Sequence, residues 1–60
     1  MPLLASLHEL RKLTYDLEEL ADHARREGMA HEEWYDLVCY IANMRIVISN
    51  VEYDHTTDKV

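Results

Sequence analysis

Residues 34–51 read WYDLVCYIANMRIVISNV, an apolar run broken by few polar side chains, chiefly Asp36, Asn43, Arg45 and Asn50. Trp34, Leu37, Ile41, Met44, Ile48 and Val51 step by three and four, which places them on one stripe of a helix. Val38 widens that stripe. Tyr35, Cys39, Ala42, Ile46, Ser49 and Tyr53 step in the same way along a different stripe, and Tyr40 and Val47 add further apolar area. A helix that is apolar on so many sides needs cover on as many sides. One neighbouring helix covers only one of them. The stretch therefore predicts a helix that belongs to an assembly. Arg45 to Ser49 is β-branched and has an alternative reading as a strand. No other segment resembles a pairing partner, and a lone strand leaves its backbone groups unsatisfied, so the reading is helix.

Upstream, the pattern is that of an ordinary amphipathic helix. Leu7, Leu10, Leu13, Leu17, Leu20, Ala21 and Ala24 make one broad apolar face centred on Leu10, Leu17 and Ala24. Glu9, Lys12, Asp16, Glu19, Asp22 and Arg26 occupy the other side, with Asp22 and Arg26 spaced as an acid-first ion pair. Ser6 and Glu9 fit a capping box, which sets the start near residue 6; Pro2 as a first helical residue is the alternative. Arg25 and Arg26 suit the negative end of the helix dipole. Gly28, the only glycine, fits the left-handed position that ends helices. Met29 and Trp34 are spaced as a hydrophobic staple for the next helix, and Glu32 and Glu33 suit its first turn. Ala30 is a poor cap. A connection this short folds two helices back on each other.

The resulting architecture is all-α: a single domain over residues 1–60, with helix 1 about 6–27, a turn at 28–30, helix 2 about 31–53 and a polar tail at 54–60. A chain of 60 residues buries a modest share of its surface. Its one cysteine permits no internal disulfide. Oligomerisation remains as the stabilising device. The expectation is a homodimer, a four-helix bundle of two hairpins. Tyr35, Cys39, Ala42, Ile46 and Tyr53 are its expected interface. On this reading Ile46 packs across the dimer, while Leu17 packs within the hairpin.

The chemistry-bearing residues form no site. Glu19, His23 and Glu27 lie one turn apart, and Glu52 and His55 have the Glu-x-x-His spacing of carboxylate-bridged metal bundles. The first set points away from the leucine face and the second lies near an end, so both read as solvated helix charge. No zinc-ligand spacing occurs. Cys39 lies on an apolar seam without a companion base, which makes it a small packing residue rather than a nucleophile. Arg45 beside the apolar stripe reads as a snorkelling or ion-paired interface residue, with a partner contact as the alternative. Asn43 either fixes register between helices or faces water. No catalytic, cofactor-binding or metal residue is assigned, and the chain is expected not to be an enzyme.

The formal net charge is −6. The basic pairs Arg11–Lys12 and Arg25–Arg26 stand at opposite ends of helix 1, separated by Asp16, Glu18, Glu19 and Asp22, so direct nucleic-acid binding is not expected. Asp36, Asn43 and Arg45 interrupt the apolar run too often for a membrane span, and no secretory signal opens the chain. A cytoplasmic protein is expected.

The chain resembles the small accessory proteins encoded in the early region of lambdoid bacteriophages. The likeness lies in the general character of the whole chain. It is a short acidic product opening Met-Pro-Leu-Leu-Ala-Ser-Leu-His-Glu-Leu, followed by one helical hairpin and a polar tail. The likeness covers the full length without a matched motif, so it assigns no residue a role. It implies a host-directed or developmental task in the host cytoplasm, carried out through protein contacts. The leading expectation is a non-enzymatic, acidic interaction or regulatory protein. It pairs with itself and offers Asp16, Glu19 and Asp22 to a basic protein. The alternative is an acidic nucleic-acid mimic that blocks a DNA-binding protein, motivated by the carboxylates of Asp16 to Asp22 and Glu32 to Asp36.

Overall fold

The structure, a computed structural model, describes residues 2–57 and contains two helices, α1 (Leu3–Arg26) and α2 (His31–Thr57). They form the expected antiparallel hairpin. Residues 45–51 are helical throughout, as their lack of a strand partner required.

Three local boundaries have clear physical causes. α1 begins at Leu3, three residues before the expected Ser6 cap. Pro2 stands at its N-cap in an extended conformation (φ −61°, ψ 143°) with no side-chain cap, and the Ser6 N–H donates to the Pro2 carbonyl at 3.1 Å. Leu3, Leu4 and Ala5 are strong helix formers, and nothing in them stops a turn from propagating back to the proline. The end of α1 follows expectation. Gly28 has φ 127°, the Met29 N–H donates to the Ala24 carbonyl at 3.0 Å, and the Gly28 N–H donates to that of Arg25 at 3.2 Å. This is the Schellman arrangement, which satisfies carbonyls that a helix end otherwise orphans. At the start of α2, Ala30 offers no capping oxygen. The Glu33 carboxylate supplies half of a capping box, accepting from the Ala30 N–H at 3.4 Å.

α2 also runs further than expected. Residues 54–57 belong to the helix and not to a polar tail; residues 58–60 of that expected tail lie outside the described residues. Glu52, half-buried, pairs with Arg11 across the hairpin, and the Thr56 hydroxyl donates to the Glu52 carbonyl at 2.7 Å. The ion pair ties this part of α2 to α1, and the hydroxyl bond caps a carbonyl within α2 itself.

The strip between the helices is narrow. From α1 it takes Leu7, Thr14 and Ala21, each seven residues apart; from α2 it takes Ile41 and Ile48, with Trp34 half-buried a heptad earlier. Among the described residues these five are the only buried ones. The small Thr14 and Ala21 face the large isoleucines, which is how two helices approach closely without a void.

The placement of the leucines overturns an expectation. Leu10, Leu13, Leu17 and Leu20 are not buried between the helices; Leu17 is 45% exposed and Leu20 is 63% exposed. α1 is rotated so that its leucine face lies to one side of the hairpin. The backbone extends 49 × 19 × 10 Å. At 10 Å thick it is a single layer of helices, with both broad sides open.

Candidate functional site

What sets the rotation of α1 is a polar ladder along one edge of the hairpin. Arg45 of α2 reaches across, its Nη2 donating to Glu18 Oε2 at 2.7 Å and its Nε to the Thr14 hydroxyl at 3.0 Å. The same guanidinium donates to the Thr14 carbonyl at 3.3 Å and lies 4.1 Å from the centroid of the Tyr15 ring. One turn further along α1, Arg11 pairs with Glu52 and donates to the Ser49 hydroxyl at 3.0 Å. Near the turn, Trp34 Nε1 donates to Asp22 Oδ1 at 3.0 Å, and the Arg25 guanidinium stacks 4.4 Å over the Trp34 ring. Hydrogen bonds to charged groups contribute about 1.5–3 kcal/mol each where water is partly excluded. Exposed ion pairs contribute less than about 1 kcal/mol. The Arg45 cluster, with three hydrogen bonds and a ring contact, is the most extensive of these polar contacts between the helices.

The ladder has a geometric consequence. On α1, Arg11, Glu18 and Asp22 lie on one flank of the Leu7–Thr14–Ala21 strip, and the leucines lie on the other flank. On α2, Arg45 and Ser49 lie on the ladder flank, and Leu37, Tyr40, Met44 and Val47 lie on the opposite one. Since the helices are antiparallel, the two apolar flanks fall on the same side of the hairpin. Leu17 and Leu20 meet Leu37, Tyr40 and Met44 around one shallow groove. Leu10 meets Met44 and Val47 around a second, continuous with the first through Met44. Among the described residues no charged side chain lines either groove. Tyr40 is 69% exposed. This is one apolar face, two helices wide, and it is the dominant surface feature of the molecule.

The expected interface residues Tyr35, Cys39, Ala42, Ile46 and Tyr53 are all exposed, on the outward side of α2. They make a second, narrower uncovered strip borne by a single helix. The Cys39 thiol is free and exposed. Of the expected partner-binding carboxylates, Asp16 and Glu19 are exposed, whereas Asp22 is half-buried and holds the Trp34 indole. Glu18, grouped with them by sequence, is turned to Arg45. Arg45 makes its contacts within the chain. Asn43 is exposed at the margin of the Leu10–Val47 groove. His8, His23, His31 and His55 are all exposed, and among the described residues no three His, Cys, Asp or Glu side chains converge as metal ligands.

Sequence reasoning misses the joint face because it gives the two halves different partners. The signal is present all the same: Leu10, Leu13, Leu17, Leu20 and Leu37, Tyr40, Met44, Val47 recur at steps of three and four. No described helix is long and apolar enough to cross a membrane. The fold and this surface define a helical hairpin with an uncovered apolar face that spans both helices. No protein-family model, curated protein or solved structure matches the chain.

Proposed function

We propose that this chain is a non-enzymatic protein-interaction unit, an acidic helical hairpin that pairs with itself and modulates a second protein in the cytoplasm. The observation that carries the reading is the apolar face spanning both helices. Contiguous exposed apolar surface of that extent marks interaction sites on small proteins. The resemblance to lambdoid phage accessory proteins fits such a task and supplies the host cytoplasm as its setting. Asp16 and Glu19, exposed on α1, are carboxylates available to a basic partner. The nucleic-acid mimic finds less support: Glu18 and Asp22 are engaged by Arg45 and Trp34, which thins the row of carboxylates available to imitate phosphates.

Affinity capture with the tagged full-length chain tests the reading. The wild-type chain is expected to retain a specific protein from the lysate of its source cell. Asp16→Asn combined with Glu19→Gln is expected to weaken that capture, as is added salt, since exposed charges are screened over about 8 Å at physiological ionic strength. Capture that withstands both would place the contact elsewhere. A chain that retains nothing specific would remove the reading.

A further inference from the structure

We propose that the occupant of the two-helix apolar face is a second copy of this chain, so that two hairpins close into a four-helix bundle with that face as its core. The proposal rests on the interaction reading above and names the face through which the chain pairs with itself. It also moves the self-contact from the Tyr35–Tyr53 strip to the opposite side of the molecule.

The first argument is area. The backbone spans 49 × 19 Å in the plane of the layer. A second copy laid along the whole of one broad side would remove on the order of 900 Å² from each copy, close to the ~800 Å² per partner of a standard stable interface, with the apolar side chains from Leu10 to Val47 in its middle. The Tyr35–Tyr53 strip is carried by one helix and offers about half that width. The second argument is pattern. In a bundle each helix meets two neighbours through adjacent stripes. α1 has two such stripes, Leu7–Thr14–Ala21 towards α2 and Leu10–Leu17 beside it. α2 has the same pair, Ile41–Ile48 and Tyr40–Met44–Val47. A hairpin that carries both stripes on both helices is half of a bundle.

The third argument is charge. Each copy carries −6, so two copies repel wherever their carboxylates approach. Among the described residues none lines the grooves of this face. Arg11 and Arg45, the cations nearest the middle of the layer, are paired within their own chain with Glu52 and Glu18 and do not await acidic groups from outside. A basic partner would need carboxylates along the contact, and among the described residues none lines these grooves. Self-association through this face must therefore strengthen as salt screens the net charge, the reverse of binding to a basic protein.

Sedimentation equilibrium of the full chain, with two variants and one footprint, tests this. The wild type is expected to show twice the 7.1 kDa chain mass, more completely at high salt. Tyr40→Lys changes a side chain that the single hairpin leaves 69% exposed, and it is expected to raise the dissociation constant about 30-fold or more, as loss of a central aromatic anchor does. Ile46→Lys, on the other strip, is expected to leave the dimer unchanged. Hydroxyl-radical footprinting of the wild type needs no variant to fold. Raising the concentration through the association midpoint is expected to protect Tyr40 and Met44 but not Tyr35 or Ile46. The reverse pattern, in variants or footprint, would overturn the proposal in favour of the Tyr35–Tyr53 strip. A wild type that stays at single-chain mass up to millimolar concentration would overturn it outright. If that monomer still captures a foreign protein and Tyr40→Lys abolishes the capture, the contact with a second protein stands while the self-pairing falls.

Discussion

At the scale of the residue, the hairpin depends on a few positions with little redundancy. Gly28 holds φ 127°, and a Cβ added there would meet nothing within 4 Å. Its substitution is therefore a pure test of backbone conformation: Gly28→Ala should lower stability by about 1–2 kcal/mol through the left-handed penalty alone, read as a shift of the urea midpoint. Arg45 is the second such position. It ties Thr14, Tyr15 and Glu18 to α2 in one cluster. Arg45→Ala should cost about 2 kcal/mol and leave the Thr14 hydroxyl without its donor from α2. Glu18→Gln, which keeps a hydrogen-bond acceptor in place, should cost less. Equal losses for the two substitutions would mean that charge, not the multi-point geometry, is what Arg45 contributes. The glycine is legible from sequence because its reason is local. Arg45 is legible only as an ion-paired interface residue, because Glu18 and Thr14 are far from it along the chain.

At the scale of the element, the two helices and their turn follow from periodicity and capping, whereas their mutual rotation does not. Helical spacing identifies an apolar face but not the object it meets. The leucines of α1 look like the hairpin contact because they are its largest apolar group, yet that strip belongs to Leu7, Thr14 and Ala21. Small residues permit close approach, and the polar ladder fixes the angle; both depend on α2. The early start at Leu3 and the extension to Thr57 are hidden for a similar reason. Helix ends are decided by small differences that a proline upstream or a cross-hairpin ion pair can tip. Ala21 provides the sharpest check on the rotation. Ala21→Leu adds apolar bulk and keeps helix propensity, so it would be harmless or favourable on an open face. In the narrow strip it overpacks and should cost about 1–3 kcal/mol. Leu20→Gln, on the open face, should cost far less when both variants are measured below the association midpoint, where the chain is a single hairpin. Circular dichroism during urea titration of both variants measures the difference. A stabilising Ala21→Leu would place the leucines back between the helices.

At the scale of the whole molecule, the central claim is that this hairpin is incomplete on its own. Its buried core is Leu7, Thr14, Ala21, Ile41 and Ile48, none of them fully removed from water, while eight large apolar side chains from Leu10 to Val47 line an open face. A core so thin stabilises two long helices poorly. Association would then supply much of the folding free energy, and stability becomes a function of concentration. That link gives the most direct measurement: thermal unfolding of the wild-type chain by circular dichroism, repeated over a wide range of concentration at fixed salt. The account predicts that the midpoint rises steadily with concentration and rises again when salt is added. A midpoint that stays constant across the whole range, with full helix content at the lowest concentration, would contradict it, since the single hairpin would then be sufficient by itself.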